Sequence, residues 1–155
     1  MQPSAASPGI KVPPPLYAAL AVGGGWLLQR RWPLPVLGGL PRALAGWGLV
    51  AVAVLIMLAA MAALRRHRTT IRPDKAATAL VQSGPYAFTR NPLYLSLALA
   101  TPGLGFLLRA PWVWALWPLV ILVLDRTVIA KEERHLAAVF GEAYADYRSR
   151  VRRWI

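Results

Sequence analysis

The sequence has no cysteine and only two histidines, His67 and His135. Disulfides, zinc–thiolate sites and thiol nucleophiles are therefore excluded. Acid is nearly as scarce. Six Asp and Glu stand against eighteen Lys and Arg, for a formal net charge of +12. So few carboxylates leave little for a dedicated metal cage, and none is expected. Missing too is any long polar segment able to form a soluble domain.

What is there is apolar side chain. Its share is 57% of the residues and the mean hydropathy is +0.44. A water-soluble domain of 155 residues has too little interior to hide that much. The apolar residues also come in blocks, which reads as a polytopic membrane protein. The arginines sit between those blocks, as they do in juxtamembrane loops, so no nucleic-acid partner is expected. Abundant Ala, Gly, Pro and Arg suggest a bacterial source, hence an inner-membrane protein.

The fold class expected is all-α: four transmembrane helices and an amphipathic cytoplasmic helix at the C-terminus. Residues 1–11, rich in small residues and Pro, read as disordered, and 12–155 as one membrane domain. The spans are placed near 12–28, 43–64, 92–108 and 112–129. The second is charge-free and about the 20 residues a bilayer needs. Gly23, Gly24 and Gly25 in the first are read as points of close helix approach. Pro102 and Gly103 predict a kink in the third. Trp112, Trp114 and Trp117 open the fourth, as aromatics do at an interface.

Four spans put both termini on one side. The other side then holds Arg30, Arg31, Arg42 and Arg109, and the remaining fourteen cations fall on the side of the termini. That asymmetry places the termini and the 65–90 loop in the cytoplasm. After Ala130 the apolar stripe Leu136, Phe140, Tyr144, Tyr147, Val151 and Trp154 is helical in spacing. Gly141 is expected to break it in two. The last part, basic and amphipathic, is expected to lie on the membrane surface or cap the bundle.

Two stretches carry candidate chemistry. In "GPYAFTRNPLYLS", Asn91 and Pro92 read as the N-cap and first residue of a helix. Its first turn offers free N–H groups and a positive dipole end, with Arg90 beside them for an anion and Tyr94 close by. In "LDRTVIAKEERHLAAVFG", Asp125 and Arg126 stand at the end of a span, where ionisable groups are costly. On a continuous helix Asp125 shares a face with Glu132, and Arg126 with Glu133. The plainer reading is capping for Asn91 and Pro92, and surface ion pairs for the rest.

The first stretch, followed after one hairpin by "EERHLAAVFGEAYADYRSRVRRWI", resembles the isoprenylcysteine carboxyl methyltransferase and phospholipid methyltransferase superfamily. These are small integral membrane enzymes that use S-adenosylmethionine. Their pattern is Arg-His/Asn-Pro-x-Tyr-x-Gly, a helical hairpin, then Glu-Glu-x-x-Leu, Phe-Gly and a Tyr-rich tail. The likeness runs from Leu80 onward. It implies that Arg90, Asn91, Pro92, Tyr94, Glu132 and Glu133 bind the cofactor, leaving S-adenosylhomocysteine as product. Asp125 and Arg126 would position the acceptor. Asn91 stands where the prenylcysteine enzymes carry His, and Ser96 where Gly is usual.

The chemistry suits these residues, because a sulfonium-bound methyl needs positioning rather than a triad or a metal. The expected activity is methyl transfer to a membrane lipid or small hydrophobic acceptor, by carboxyl, thiol or phospholipid-amine (phosphatidylethanolamine) methylation. The rival of another class is a non-enzymatic membrane scaffold or subunit. A transporter fragment fits less well, since the spans lack mid-membrane polar residues. Oligomeric state is left open.

Overall fold

The computed structural model describes residues 12–36, 38–69 and 78–155, and among these there is no strand. The helices are α1 (Pro14–Arg31), α2 (Leu40–Arg66), α3 (Pro92–Leu107), α4 (Pro111–Val123) and α5 (Ala130–Arg150), with a π-helical stretch Leu124–Ile129 joining the last two. A 3₁₀ turn, Gly84–Ala87, precedes α3. The expected disordered start, residues 1–11, and the middle of the 65–90 loop lie outside the described residues.

All four expected spans are helices, but only two of them are long and apolar enough to cross a membrane. These are α2 and the continuous helix that begins at Pro111. The other two fall short for separate reasons. The last turn of α1 is Leu28, Gln29, Arg30 and Arg31. At 16 residues, α3 extends only about 24 Å along its axis.

The helices form an antiparallel bundle in which α2 lies along α3 and α1 along α4, with α3 touching both α1 and α4. Glycine lets them come this close. A Cβ on Gly25 would stand 2.7 Å from the backbone nitrogen of Val113, so α1 meets α4 there without a side chain between. Gly24 has only a distant leucine methyl and Gly23 has nothing near it. The packing role expected of three glycines falls to one. Gly103 repeats the device between α3 and α2, where a Cβ would stand 3.1 Å from the Gly46 carbonyl oxygen.

Proline sets a second constraint. Pro102 lies inside α3 and has no N–H to give Ala98. The indole N–H of Trp117 donates to that carbonyl instead, at 2.8 Å. Trp112 donates to Trp32 O at 2.8 Å, and Trp114 packs edge-on against Phe106. All three tryptophans thus pin helices together, where position alone suggested membrane anchors. Outside the bundle, Leu20, Leu27, Trp47, Leu55, Leu119 and Leu122 are each more than half exposed. An apolar belt of this kind matches a hydrocarbon surround.

Candidate active site

The site forms where three segments meet: the 78–91 loop, the π-helical stretch, and the tail after Gly141. Gly141 has φ 52° and ψ −124°, so α5 breaks there as the sequence predicts. The break turns the second half of α5 back onto the loop. Tyr144, Tyr147 and Val151 form a small core with Leu80, Leu136 and Phe140. The Tyr147 hydroxyl donates to Tyr86 O at 2.7 Å. Of the two places foreseen for this segment, it takes the cap.

The final residues then run alongside the entrance to α3. Arg90 N–H donates to Arg152 O at 3.0 Å. Arg153 O accepts from Thr89 Oγ1 at 3.1 Å and from Asn91 Nδ2 at 3.0 Å. Asn91 occupies the N-cap position of α3 but makes no side-chain cap; its amide holds the tail instead. Pro92 is the first residue of α3 and is buried. Ser96, in the place where Gly is usual, turns its hydroxyl onto Leu93 O at 2.7 Å, so it bonds its own helix.

A chain of charges crosses this junction. Arg90 Nη2 lies 3.0 Å from Glu133 Oε1, with both side chains under a tenth exposed. Arg153 meets the same carboxylate through Nε at 3.2 Å and Nη2 at 2.6 Å. Its Nη1 reaches both oxygens of Asp125, at 3.2 and 3.1 Å. Trp154 Nε1 donates to Asp125 Oδ1 at 3.1 Å. Arg153 is held charged first by its hydrogen bond to Glu133, against the cost of burial, and then by the fields of Glu133 and Asp125. The two acids and two arginines balance.

Glu132 stands outside that balance. Its Oε2 accepts a 2.7 Å bond from the Tyr94 hydroxyl, and no cation pairs with it among the described residues. It lies past Lys131, where the charged part of the last helix begins. Burial pushes its carboxyl above the usual range, the Tyr94 bond pulls it back, and Glu133 pushes it up. Close by, Arg90 Nε and Nη1 are buried without a hydrogen-bond partner, and so is the Tyr144 hydroxyl. Burial and then Glu133 push that hydroxyl up to about 12, against Arg90 and Arg148. Buried polar groups are seldom left unpaired. Here three unpaired donor atoms sit near a carboxylate that has no cationic partner among the described residues.

The π turn corrects one expectation. The Ala130 N–H bonds to Asp125 O, five residues back, which fits an extra residue into the turn. Asp125 is thereby brought to Arg153 together with Glu133, rather than sharing a face with Glu132. Arg126 does not join them. Its side chain is 76% exposed, and its nearest acid is Asp125 at 3.9 Å. Arg90, Asn91, Pro92, Tyr94, Asp125, Glu132 and Glu133 do meet at the junction. Arg153, Trp154, Thr89 and Tyr144 were not foreseen in it. No group of three or more metal-binding side chains occurs among the described residues.

Residues 41–143 match the phospholipid methyltransferase family. The chain belongs to that family. Members of the phospholipid methyltransferase family are membrane methyltransferases, in keeping with the apolar helices and with the likeness drawn from the motifs. Over 72 residues the chain is 39% identical to the cobalt-zinc-cadmium resistance protein CzcN of Cupriavidus metallidurans. That stretch is 46% of this chain and 33% of that protein. A second relative, an uncharacterized protein of Haemophilus influenzae, is 36% identical over 63 residues, covering 41% of this chain and its own full length. No solved structure matches.

Proposed function

We propose that this protein is a membrane-embedded, S-adenosylmethionine-dependent methyltransferase acting on a lipid-like acceptor. The observation that carries the reading is Glu132: a carboxylate without a cationic partner among the described residues, beside the unpaired N–H groups of Arg90. A zwitterionic, cationic cofactor complements that pattern. Arg90 and the Tyr144 hydroxyl suit its carboxylate, and Glu132 suits its positive charge. When bound, the cofactor supplies a methyl group on a sulfonium, ready for in-line transfer.

The chain's own residues then have three tasks. Tyr94 holds the Glu132 carboxylate through the 2.7 Å bond. Arg153 ties Asp125 to Glu133, so that the tail closes over α3 and limits entry of water. Acceptor entry is assigned to the groove between α1 and α4, a cavity of about 230 Å³ lined by Tyr17, Leu20, Leu116, Leu119 and Val123. That groove ends one residue before the π turn. Its apolar walls suit a hydrocarbon chain delivered from the bilayer. The proposed orientation puts both termini and this site in the cytoplasm, on the arginine asymmetry.

A second reading within the class follows from the family match: the acceptor is the amine of a phospholipid headgroup, which must lose a proton on methylation. The test is calorimetry on detergent-purified protein with sinefungin, in which an amine replaces the sulfonium of the donor. The parent is expected to bind, and Glu132→Gln to weaken binding at least tenfold while remaining folded. Unchanged binding in the variant would remove Glu132 from the site. No binding by well-folded parent protein with lipid restored would favour the scaffold. Labelled methyl donor, offered with phosphatidylethanolamine or with a fatty carboxylate, then separates the acceptors.

A further inference from the structure

The opposite end of the bundle holds features that the proposed reaction does not use. There the C-terminus of α1, the N-terminus of α2, the C-terminus of α3 and the N-terminus of α4 come together, as the Trp112–Trp32 and Arg42–Phe106 bonds require. This end carries Arg30, Arg31, Arg42 and Arg109. The six acids of the chain stand at positions 74, 125, 132, 133, 142 and 146, and none stands in any of these helices or their two connections. Arg30 and Arg31 lie over the rings of Trp26 and Trp32, with centroid distances of 4.3 and 5.0 Å. The counter-anion for this face has to come from outside the protein.

Arg42 is where such an anion fits. Its Nη1 donates to Phe106 O and Leu107 O, at the end of α3. Its Nε is buried with no partner, and its Nη2 bonds nothing among the described residues. The guanidinium borders a cavity of about 210 Å³ whose other walls are apolar, among them Pro35, Val36, Phe106, Pro111 and Trp114. Capping α3 accounts for one nitrogen and leaves both the remaining N–H groups and the cavity unexplained.

We propose that this cavity binds an anionic phospholipid, its phosphate on Arg42 and the upper part of one acyl chain against Phe106 and Trp114. A free phosphate would leave the apolar walls empty. A zwitterionic lipid brings its own cation to a face that already holds four guanidiniums and no carboxylate. The binding owes nothing to the methyl-transfer site and stands or falls separately from it.

The experiment is native mass spectrometry of the detergent-purified protein, titrated with phosphatidylglycerol or with phosphatidylcholine of the same chains. The parent is expected to retain phosphatidylglycerol roughly fivefold more tightly, about the effect of one interfacial arginine. Arg42→Gln is expected to abolish that preference. Val36→Glu leaves the cap of α3 intact but puts an acid beside the guanidinium, so it should abolish the preference too. Arg148→Gln, on the far end, should keep it. Equal retention of the two lipids by the parent overturns the proposal. So does a preference that survives in either folded variant, or one lost in Arg148→Gln alone.

Discussion

Glu132 and Glu133 are neighbours in sequence and opposites in circumstance. Among the described residues Glu133 is saturated by two arginines, while Glu132 has one neutral partner. Their substitutions should therefore differ in kind. Glu132→Gln keeps an oxygen for Tyr94 and removes a charge that burial disfavours. A carboxyl whose folded-state pKa is raised stabilises the fold below its unfolded value and loses that contribution as pH rises through the folded value. The melting temperature of Glu132→Gln is thus expected to equal the parent's near pH 4 and to exceed it increasingly as pH rises, even as ligand binding is lost. Thermal unfolding across that range checks this. Arg153→Gln should act the other way. It leaves Glu133 with Arg90 alone and Asp125 with the Trp154 indole, which costs about 1–3 kcal/mol and lowers the melting temperature at neutral pH. The motif stretches name Arg90 and the paired acids. Arg153 lay hidden because its place depends on a chain reversal at Gly141, and one more arginine in "RSRVRRWI" has no periodic signature.

At the scale of elements, hydropathy and spacing predict the helices closely: 43–64 against Leu40–Arg66, and 92–108 against Pro92–Leu107. The π turn could not be read, because a helix with one residue too many per turn looks in sequence like any helix. It nonetheless sets the register of the acids. Inserting one alanine after Ala130, beyond the π turn, should rotate Glu132 and Glu133 by about 100° relative to α4. Binding of S-adenosylhomocysteine is expected to vanish while far-ultraviolet circular dichroism stays the same. Gly141 governs the other half of the site. A Cβ there meets no atom within 4 Å, so the cost of Gly141→Ala is conformational, about 1–3 kcal/mol for a positive-φ backbone that side chains rarely adopt. Faster proteolysis within the tail should report its loosening.

At the scale of the whole molecule, helices held together at glycines should tolerate polar changes on the rim better than bulk at the crossings. Gly25→Val puts carbon where Val113 backbone already stands, and overpacking of this kind costs about 1–3 kcal/mol. Its melting temperature is expected to fall, whereas Gly23→Val, facing open space, should lose little. The same view explains why two of the four expected spans fall short of what a lone crossing needs. Apolar composition marks a helix that belongs in hydrocarbon, but length and end charges decide whether it crosses unaided, and α1 and α3 have their neighbours beside them.

The uncompensated charge of Glu132 also bears on the end of the catalytic cycle. Within the proposed function Glu132 would face a sulfonium cation before transfer and a neutral thioether after it. Transfer thus discharges the ligand while the carboxylate keeps its charge, and the grip on the spent cofactor slackens by the act of using it. Sinefungin, which carries an amine in place of the sulfonium, should then bind more tightly than S-adenosylhomocysteine. Added salt should narrow that gap, and in Glu132→Gln it should close. Such a protein would suffer little product inhibition, and would clear its site without any moving lid.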